Sequence, residues 1–390
     1  MALLHRLLAA KKDSDESSIR GYDIEYIVQC VSRVEGYLKR AESSGRAFSK
    51  YIKIKEWLVQ ERYLSGFIIR SIFRHSKRKI PLFCLDSTIQ GLAKGVLLFV
   101  SARRHIGETS AQAIRVKNNV RAFFTNGVNP FVVKMLISQH RSLENMETEI
   151  NARSRVSTYA TVKVPRILSS ALTFDPPFFQ EEIMWGEKPV QGKDDLIISD
   201  ILCPQIWSTY EKNGLKFRSL GEVVDLVEFY EGLARSLDSI PWLQGYGDKT
   251  EFLSRVSNLL KMDGLLPCSF VHGDLCLGNI IVTPEKQAYL VDWEQTGEGP
   301  IAFDLYELIT EFPGSRKYIE LQMDDLAFQN RNIDLFPFHL QLCIAALKKI
   351  KKWSSNYYRV TPRRLPGLKG RLWTTIRYVD ELMKESKLDG

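Results

Sequence analysis

A chain of 390 residues, 44% apolar and 26% charged, has an ordinary globular composition with room for two or three domains, which excludes disordered and fibrous classes. No apolar run approaches the roughly 18 residues needed to span a bilayer, and residues 1–10 read as too short for a secretory signal. The net charge of +8 is uneven: residues 1–90 carry 17 basic against 10 acidic side chains, residues 91–340 carry 25 against 32, and residues 341–390 carry 12 against 4. An acidic middle between basic ends points to an anionic partner at the ends, such as a membrane surface, nucleic acid or an anionic substrate; solvated helix faces would give the same pattern. The six cysteines (Cys30, Cys84, Cys203, Cys268, Cys276, Cys343) are scattered without a CxxC pair. They read as free thiols in a reducing, cytoplasmic compartment.

Residues 1–20 are an apolar stretch followed by a polar one, a frayed terminus or a short interfacial helix. Between residues 22 and 42, Ile24, Ile27, Val28, Val31, Val34 and Leu38 recur at helical spacing. A second helix is expected over residues 52–75, with Trp57, Leu64, Phe67, Ile68 and Ile72 on one side. The basic residues Arg74, Lys77, Arg78 and Lys79 follow, before Pro81. They suit anionic lipid or the cation-favouring end of a helix dipole. Residues 1–90 thus read as a helical, basic N-terminal extension.

From residue 91 to 186 the pattern shifts to short strands at 96–100, 112–116, 121–125 and 130–136, with the hairpin signal Asn126-Gly127 between the last two. Lys134 is the only lysine on the last of these. A helix over residues 141–157 carries Glu144, Glu147 and Glu149. Residues 178–184 read as a strand leading into a connection at Gly186. Residues 187–390 read as mostly helical. The helix at 222–238 places Val223, Val227, Tyr230, Leu233, Ala234 and Leu237 on one face, and helices at 335–353 and 371–383 close the chain.

The chemistry concentrates in residues 269–307. Residues 279–282 and 289–291 read as two short paired strands across a Pro, Glu and Lys turn. Their pairing brings Asn279 and Asp292 into one small volume. An amide oxygen and a carboxylate are hard ligands suited to Mg²⁺ with substrate phosphates. Asp274, five residues before Asn279, is placed to meet an incoming hydroxyl. These are the parts of phosphoryl transfer.

His272-Gly273-Asp274-Leu275, then Asn279, then Asp292-Trp293-Glu294 resembles the active-site signature of the aminoglycoside phosphotransferase and choline kinase superfamily. The resemblance implies an α+β, bilobal protein-kinase-like fold, with a β-rich small lobe at 91–186 and a helical large lobe at 187–390. It implies ATP and Mg²⁺ as cofactors, with Asp274 catalytic, His272 supporting the loop, Asn279 and Asp292 as metal ligands, and Glu294 on a second ion. It also implies that Lys134 contacts the nucleotide phosphates and pairs with a glutamate. Glu149 fits best by its distance to Val164-Pro165-Arg166, with Glu147 second, and the spacing leaves both open. The backbone of Glu182, Ile183 and Met184 resembles the adenine-binding hinge. Asp304 matches an aspartate that braces the catalytic loop. The loop that would cover the phosphates, Lys117-Asn118-Asn119-Val120, departs from expectation by lacking glycine. No Walker A sequence is present, which excludes a P-loop NTPase.

The expected activity is ATP-dependent transfer of a phosphoryl group to a hydroxyl of a small molecule or glycan. The basic residues Lys348, Lys349, Lys351, Lys352, Arg363, Arg364 and Arg371, far along the chain from the hairpin, favour an anionic or membrane-associated acceptor over a polycation. Aminoglycoside or choline kinases, and a nucleotide-binding regulatory module without catalysis, are the alternatives. Peripheral contact with an anionic membrane fits the basic ends. Nucleic acid, suggested only by Tyr357, Tyr358 and Trp373 beside basic residues, is not the expected partner.

Overall fold

The structure, a computed structural model, describes residues 24–38, 48–54, 57–60, 104–108, 111, 113–116, 119–125, 129–137, 142–159, 161–238, 240, 249–355 and 365–386. The chain is α+β and divides into two compact units. The first takes in the described residues up to Glu147 together with Pro165–Ile183; the second comprises Thr148–Val164 and the described residues from Met184 onward. Among the described residues no helix is long and apolar enough to cross a membrane.

The first unit is an eight-stranded antiparallel sheet. Its strands are β1 (Phe48–Ile54), β2 (Trp57–Gln60), β3 (Arg104–Glu108), β4 (Ala113–Val116), β5 (Val120–Phe124), β6 (Phe131–Met135), β7 (Ile167–Ala171) and β8 (Phe178–Glu182), in the order β3-β1-β2-β4-β5-β6-β8-β7. Helix α1 (Ile24–Leu38) forms as its spacing predicts, burying Ile27, Val28, Val31 and Val34 in one core with Ile114, Val120, Ala122, Val133 and Phe178. Each such burial stabilises by on the order of 1.5–3 kcal/mol.

The helix expected over 52–75 is overturned where the structure describes it. Residues 48–60 form β1 and β2, paired antiparallel from Tyr51↔Gln60 to Ile54↔Trp57. The sequence there alternates over Ile52-Lys53-Ile54-Lys55, and this period of two outweighs the looser helical spacing. The sheet therefore draws strands from both sides of residue 90, so the break expected there does not divide the fold. The strand expected at 96–100, the Asn126-Gly127 turn, residues 1–20, the cluster Arg74–Lys79, Cys84, Tyr357, Tyr358, Arg363 and Arg364 lie outside the described residues.

The second unit is mainly helical. Its elements are the C-terminal part of α2 (Leu143–Tyr159), then α3 (Cys203–Lys212), β9 (Lys216–Ser219), α4 (Leu226–Asp238), α5 (Lys249–Leu260), β10 (Leu265–Val271), β11 (Ile280–Val282), β12 (Ala288–Leu290), β13 (Gly297–Pro300), α6 (Ala302–Glu311), α7 (Arg316–Gln329), α8 (Phe338–Ser355) and α9 (Leu365–Glu385). Strand β10 pairs with β9 and β13, and β11 with β12. Helix α8 is a central core element: Leu340, Leu342, Cys343, Ile344, Ala345, Ala346, Leu347 and Ile350 are all buried.

The helix expected at 222–238 is broken. Ser219 caps the short turn Leu220–Val223 through a capping box with Glu222, Val224 is extended, and α4 starts afresh at Leu226. There the Asp225 carboxylate accepts from the Glu228 N–H at 2.9 Å, acting as a new N-cap. The restart rotates the buried face to Phe229, Leu233 and Leu237, leaving Val227, expected inside, 68% exposed.

Candidate active site

Strand β10 is buried along most of its length and delivers His272, Gly273 and Asp274 at its end. Gly273 sits at φ +79, and a Cβ there would lie 2.2 Å from the Gln295 carbonyl oxygen, so only glycine fits this crossing. Asp304 of α6 holds the turn from beneath. Its carboxylate accepts from the backbone N–H of His272 at 2.7 Å, from that of Gly273 at 2.9 Å and from the Tyr210 hydroxyl at 3.2 Å. Burial pushes the Asp304 carboxyl above the usual carboxylate range, against the pull of His272 and these donors. The same burial, with Asp304 beside it, lifts the Tyr210 phenol well above its ordinary value.

His272 is buried and joins the two motifs. Its Nε2 donates to the Val291 carbonyl at 3.1 Å, and its Nδ1 accepts from the Asp274 N–H at 3.4 Å. The ring therefore spans the loop before Asp274 and the residue before Asp292. Trp293 packs against it, centroids 4.6 Å apart, and donates its indole N–H to the Leu290 carbonyl at 3.2 Å. Trp293 is thus a core residue that anchors the acids on either side of it.

The hairpin β11–β12 forms where two paired strands were expected, in the register Ile280↔Leu290 through Val282↔Ala288. The Val291 N–H donates to the Asn279 carbonyl at 2.9 Å, bringing Asn279 to the start of the Asp292-Trp293-Glu294 motif. The Asn279 side-chain NH₂ donates to the Asp274 carbonyl at 2.8 Å and reaches its carboxylate at 3.4 Å, so the amide oxygen is the end turned away from Asp274. Asp292 takes φ +70, a conformation Asp tolerates better than most residues and one that clusters at functional sites.

Carboxylate oxygens of Asp292, Glu294 and Glu149 lie within 4.8 Å of one another, all in the second unit. Three converging carboxylates form a hard oxygen-donor set, which fits Mg²⁺. Of the two glutamates left open by spacing, Glu147 is exposed and Glu149 is buried, with Arg153 Nη1 3.6 Å from its Oε1. The placement of Glu149 among the metal-side acids was not legible from spacing.

In the first unit, Lys134 is fully buried on β6 between β5 and β8, with its ammonium 5.8 Å from the Phe179 ring centroid. That excludes a water-facing edge lysine. The Glu182 N–H donates to the Arg166 carbonyl at 3.0 Å, so this hinge donor is committed within the sheet; Ile183 and Met184 follow the end of β8.

Sequence reasoning missed the residues around Asp274. On α8, Lys349 and Lys352 bring their ammonium groups to Asp274 Oδ1, at 3.7 and 3.3 Å. Lys349 is also ion-paired with Glu307, and Lys352 reaches Gln295 Oε1 at 3.4 Å. The Leu277 N–H donates to Glu311, whose carboxyl burial pushes up. The basic C-terminal stretch is thus far in sequence but not in space. An i, i+3 lysine pair on a helix with a buried apolar face was the available signal; which carboxylate it would meet was not.

Residues 228–331 match the model of the phosphotransferase enzyme family, a span that holds the whole loop, hairpin and acidic motif. No curated protein sequence matches this one. Among solved structures, the chain is similar to an aminoglycoside phosphotransferase from Alicyclobacillus acidocaldarius, at 12% identity over 72% of this chain and 93% of that one, TM-score 0.47. It is similar to the choline kinase LicA from Streptococcus pneumoniae, at 12% identity over 68% and 91%, TM-score 0.46. It is also similar to a choline/ethanolamine kinase family protein from Mesorhizobium loti, at 14% identity over 68% and 85%, TM-score 0.44.

Proposed function

The segment 228–331 carries the phosphotransferase family's pattern, and from that premise we propose that this chain is an ATP-dependent phosphotransferase acting on a hydroxyl of a small molecule or glycan. The observation that carries this reading is the convergence of the Asp292, Glu294 and Glu149 carboxylates, with Asn279, which contacts Asp274, tied by its carbonyl to Val291 beside Asp292. A general base beside a hard-ion site is what transfer to an alcohol requires.

Asp274 orients the acceptor hydroxyl and takes its proton. Asn279 holds the Asp274 loop in place through its NH₂ and offers its oxygen to the metal side. Asp292, Glu294 and Glu149 hold Mg²⁺. When bound, the metal neutralises charge on the phosphates. His272 and Asp304 fix the loop so that Asp274 pays no reorganisation during the step. Lys134 serves the nucleotide phosphates, and the backbone of Ile183 and Met184, with the Glu182 carbonyl, serves adenine. Little covalent chemistry falls to the protein; positioning and charge do the work.

A regulatory module that binds nucleotide without catalysis is disfavoured by the intact set of Lys134, Asp274, Asn279 and Asp292. Peripheral membrane contact was suggested by Arg74, Lys77, Arg78 and Lys79, which lie outside the described residues, and gains nothing further here. The test is phosphoryl transfer from radiolabelled ATP, with Mg²⁺, to a panel of sugar, sugar-phosphate, glycolipid, aminoglycoside and choline acceptors. Transfer to any of them, lost on chelation of the metal, supports the assignment; ATP binding without transfer to any acceptor overturns it.

A further inference from the structure

The acceptor hydroxyl must come within hydrogen-bond reach of Asp274, about 2.6–3.2 Å. That space is already marked by two ammonium groups, Lys349 at 3.7 Å and Lys352 at 3.3 Å from the same oxygen, Oδ1. Lys349 is only 14% exposed, and burial with Lys352 beside it holds its ammonium below the usual lysine value. Lys352 is 45% exposed and also reaches Gln295. A third cation, Lys188, overhangs the same loop: a Cβ on Gly278 would lie 3.5 Å from its Nζ. Arg371 of α9 is exposed and stands near Glu311, whose carboxylate receives the loop N–H of Leu277.

A cationic acceptor bound to Asp274 would place its charge among these ammonium groups, and like charges at such range repel. An anionic acceptor is drawn to the same ammonium groups, to Lys352 above all, since Lys349 is also ion-paired with Glu307. A phosphate or carboxylate on the acceptor, held beside the reacting hydroxyl, comes within reach of the Lys349 and Lys352 ammonium groups.

We infer that Lys349 and Lys352 form a subsite for a negatively charged group, phosphate or carboxylate, carried by the acceptor close to the hydroxyl that receives the phosphoryl group. This rests on the phosphotransferase reading above and narrows its substrate class. The subsite selects by charge beside the reacting hydroxyl; of the metal-side acids, Asp292 and Glu294 lie on the other motif and Glu149 on α2.

The test is binding of inorganic phosphate and, in a parallel arm, acetate to the full chain with Mg²⁺ and ADP present, so that the nucleotide side is filled. Titration is followed by calorimetry on wild type, Lys352→Ala and Lys349→Met, with circular dichroism and melting curves to confirm folding. The expected result is saturable binding of at least one anion to wild type, weakened at least tenfold by Lys352→Ala. Lys349 is packed in the core, so Lys349→Met counts only where its melting curve matches wild type; Lys352→Ala alone carries the result otherwise. Tighter binding of phosphate than acetate identifies a phosphorylated acceptor, and the reverse a carboxylated one. No saturable anion binding, or equal affinity in wild type and Lys352→Ala, overturns the subsite. ATP turnover is scored separately: anion binding without turnover sinks the phosphotransferase reading and leaves the subsite standing, while turnover without anion binding does the opposite.

Discussion

At the scale of single residues, the site depends on two positions that make no chemistry of their own. Gly273 lets the chain cross Gln295, and Asp304 ties the turn down by accepting two backbone N–H groups. A Gly273→Ala chain must move backbone, because a Cβ would meet the Gln295 carbonyl at 2.2 Å from a φ of +79. The expected outcome is a loss of stability of about 1–3 kcal/mol and a fall in turnover beyond what the lost folded fraction explains; urea unfolding and initial rates check the two separately. Asp274, Asn279 and Asp292 were legible because their relation is local: one loop and one hairpin of fixed spacing bring them together. Lys352 was not legible, because it meets Asp274 across 78 positions and only the packing of α8 decides where its stem points. That Glu149 is buried and Glu147 exposed is something a polar helix with weak periodicity does not announce.

At the scale of elements, errors came where two local signals competed. The alternation over residues 52–55 won over a helical spacing, and the Asp225 cap restarted α4 and turned its face. Elements with a single strong signal came out as expected, including α1, the hairpin β11–β12 and β6. The closure of the second unit also uses a buried ion pair that no sequence pattern exposes. Arg255 of α5 donates through Nε to Asp380 of α9 at 3.0 Å, both side chains are buried, and Lys384 Nζ lies 2.9 Å from the other Asp380 oxygen. Removing Asp380 takes a buried carboxylate from the buried Arg255 guanidinium and leaves it with the more exposed Glu251, which costs up to about 3–5 kcal/mol. Asp380→Ala is therefore expected to destabilise the fold by about that amount. The double change Arg255→Met with Asp380→Leu should recover most of it, as chemical denaturation of the three variants would show.

At the scale of the whole molecule, thiols report on the core. Cys30, Cys203, Cys268, Cys276 and Cys343 are all free. Burial pushes Cys203 and Cys343 up to about 12 and Cys268 to about 11. These groups stay protonated in the fold while an unfolded thiol ionises near about 8.5. Their folded values are raised, so the stability they contribute is intact below that pH and is lost progressively as pH rises from there toward the folded values. Melting temperature should fall between roughly pH 8.5 and pH 11, and a variant with Cys203 and Cys343 changed to Ala should flatten that slope. Iodoacetamide at pH 8 should leave both residues unmodified until denaturant is added, as peptide mass mapping would show.

The same scale holds the central claim, that the Asp274 loop and the carboxylates at the hairpin form one phosphotransferase site. The most direct measurement is steady-state phosphoryl transfer from ATP by wild type, Asp274→Asn and Asp292→Asn, each matched by its melting curve. Both variants are predicted to keep the wild-type fold, with turnover reduced about 10²–10⁴-fold for Asp274→Asn and to background for Asp292→Asn. Near-normal transfer by a folded Asp292→Asn protein would contradict the account.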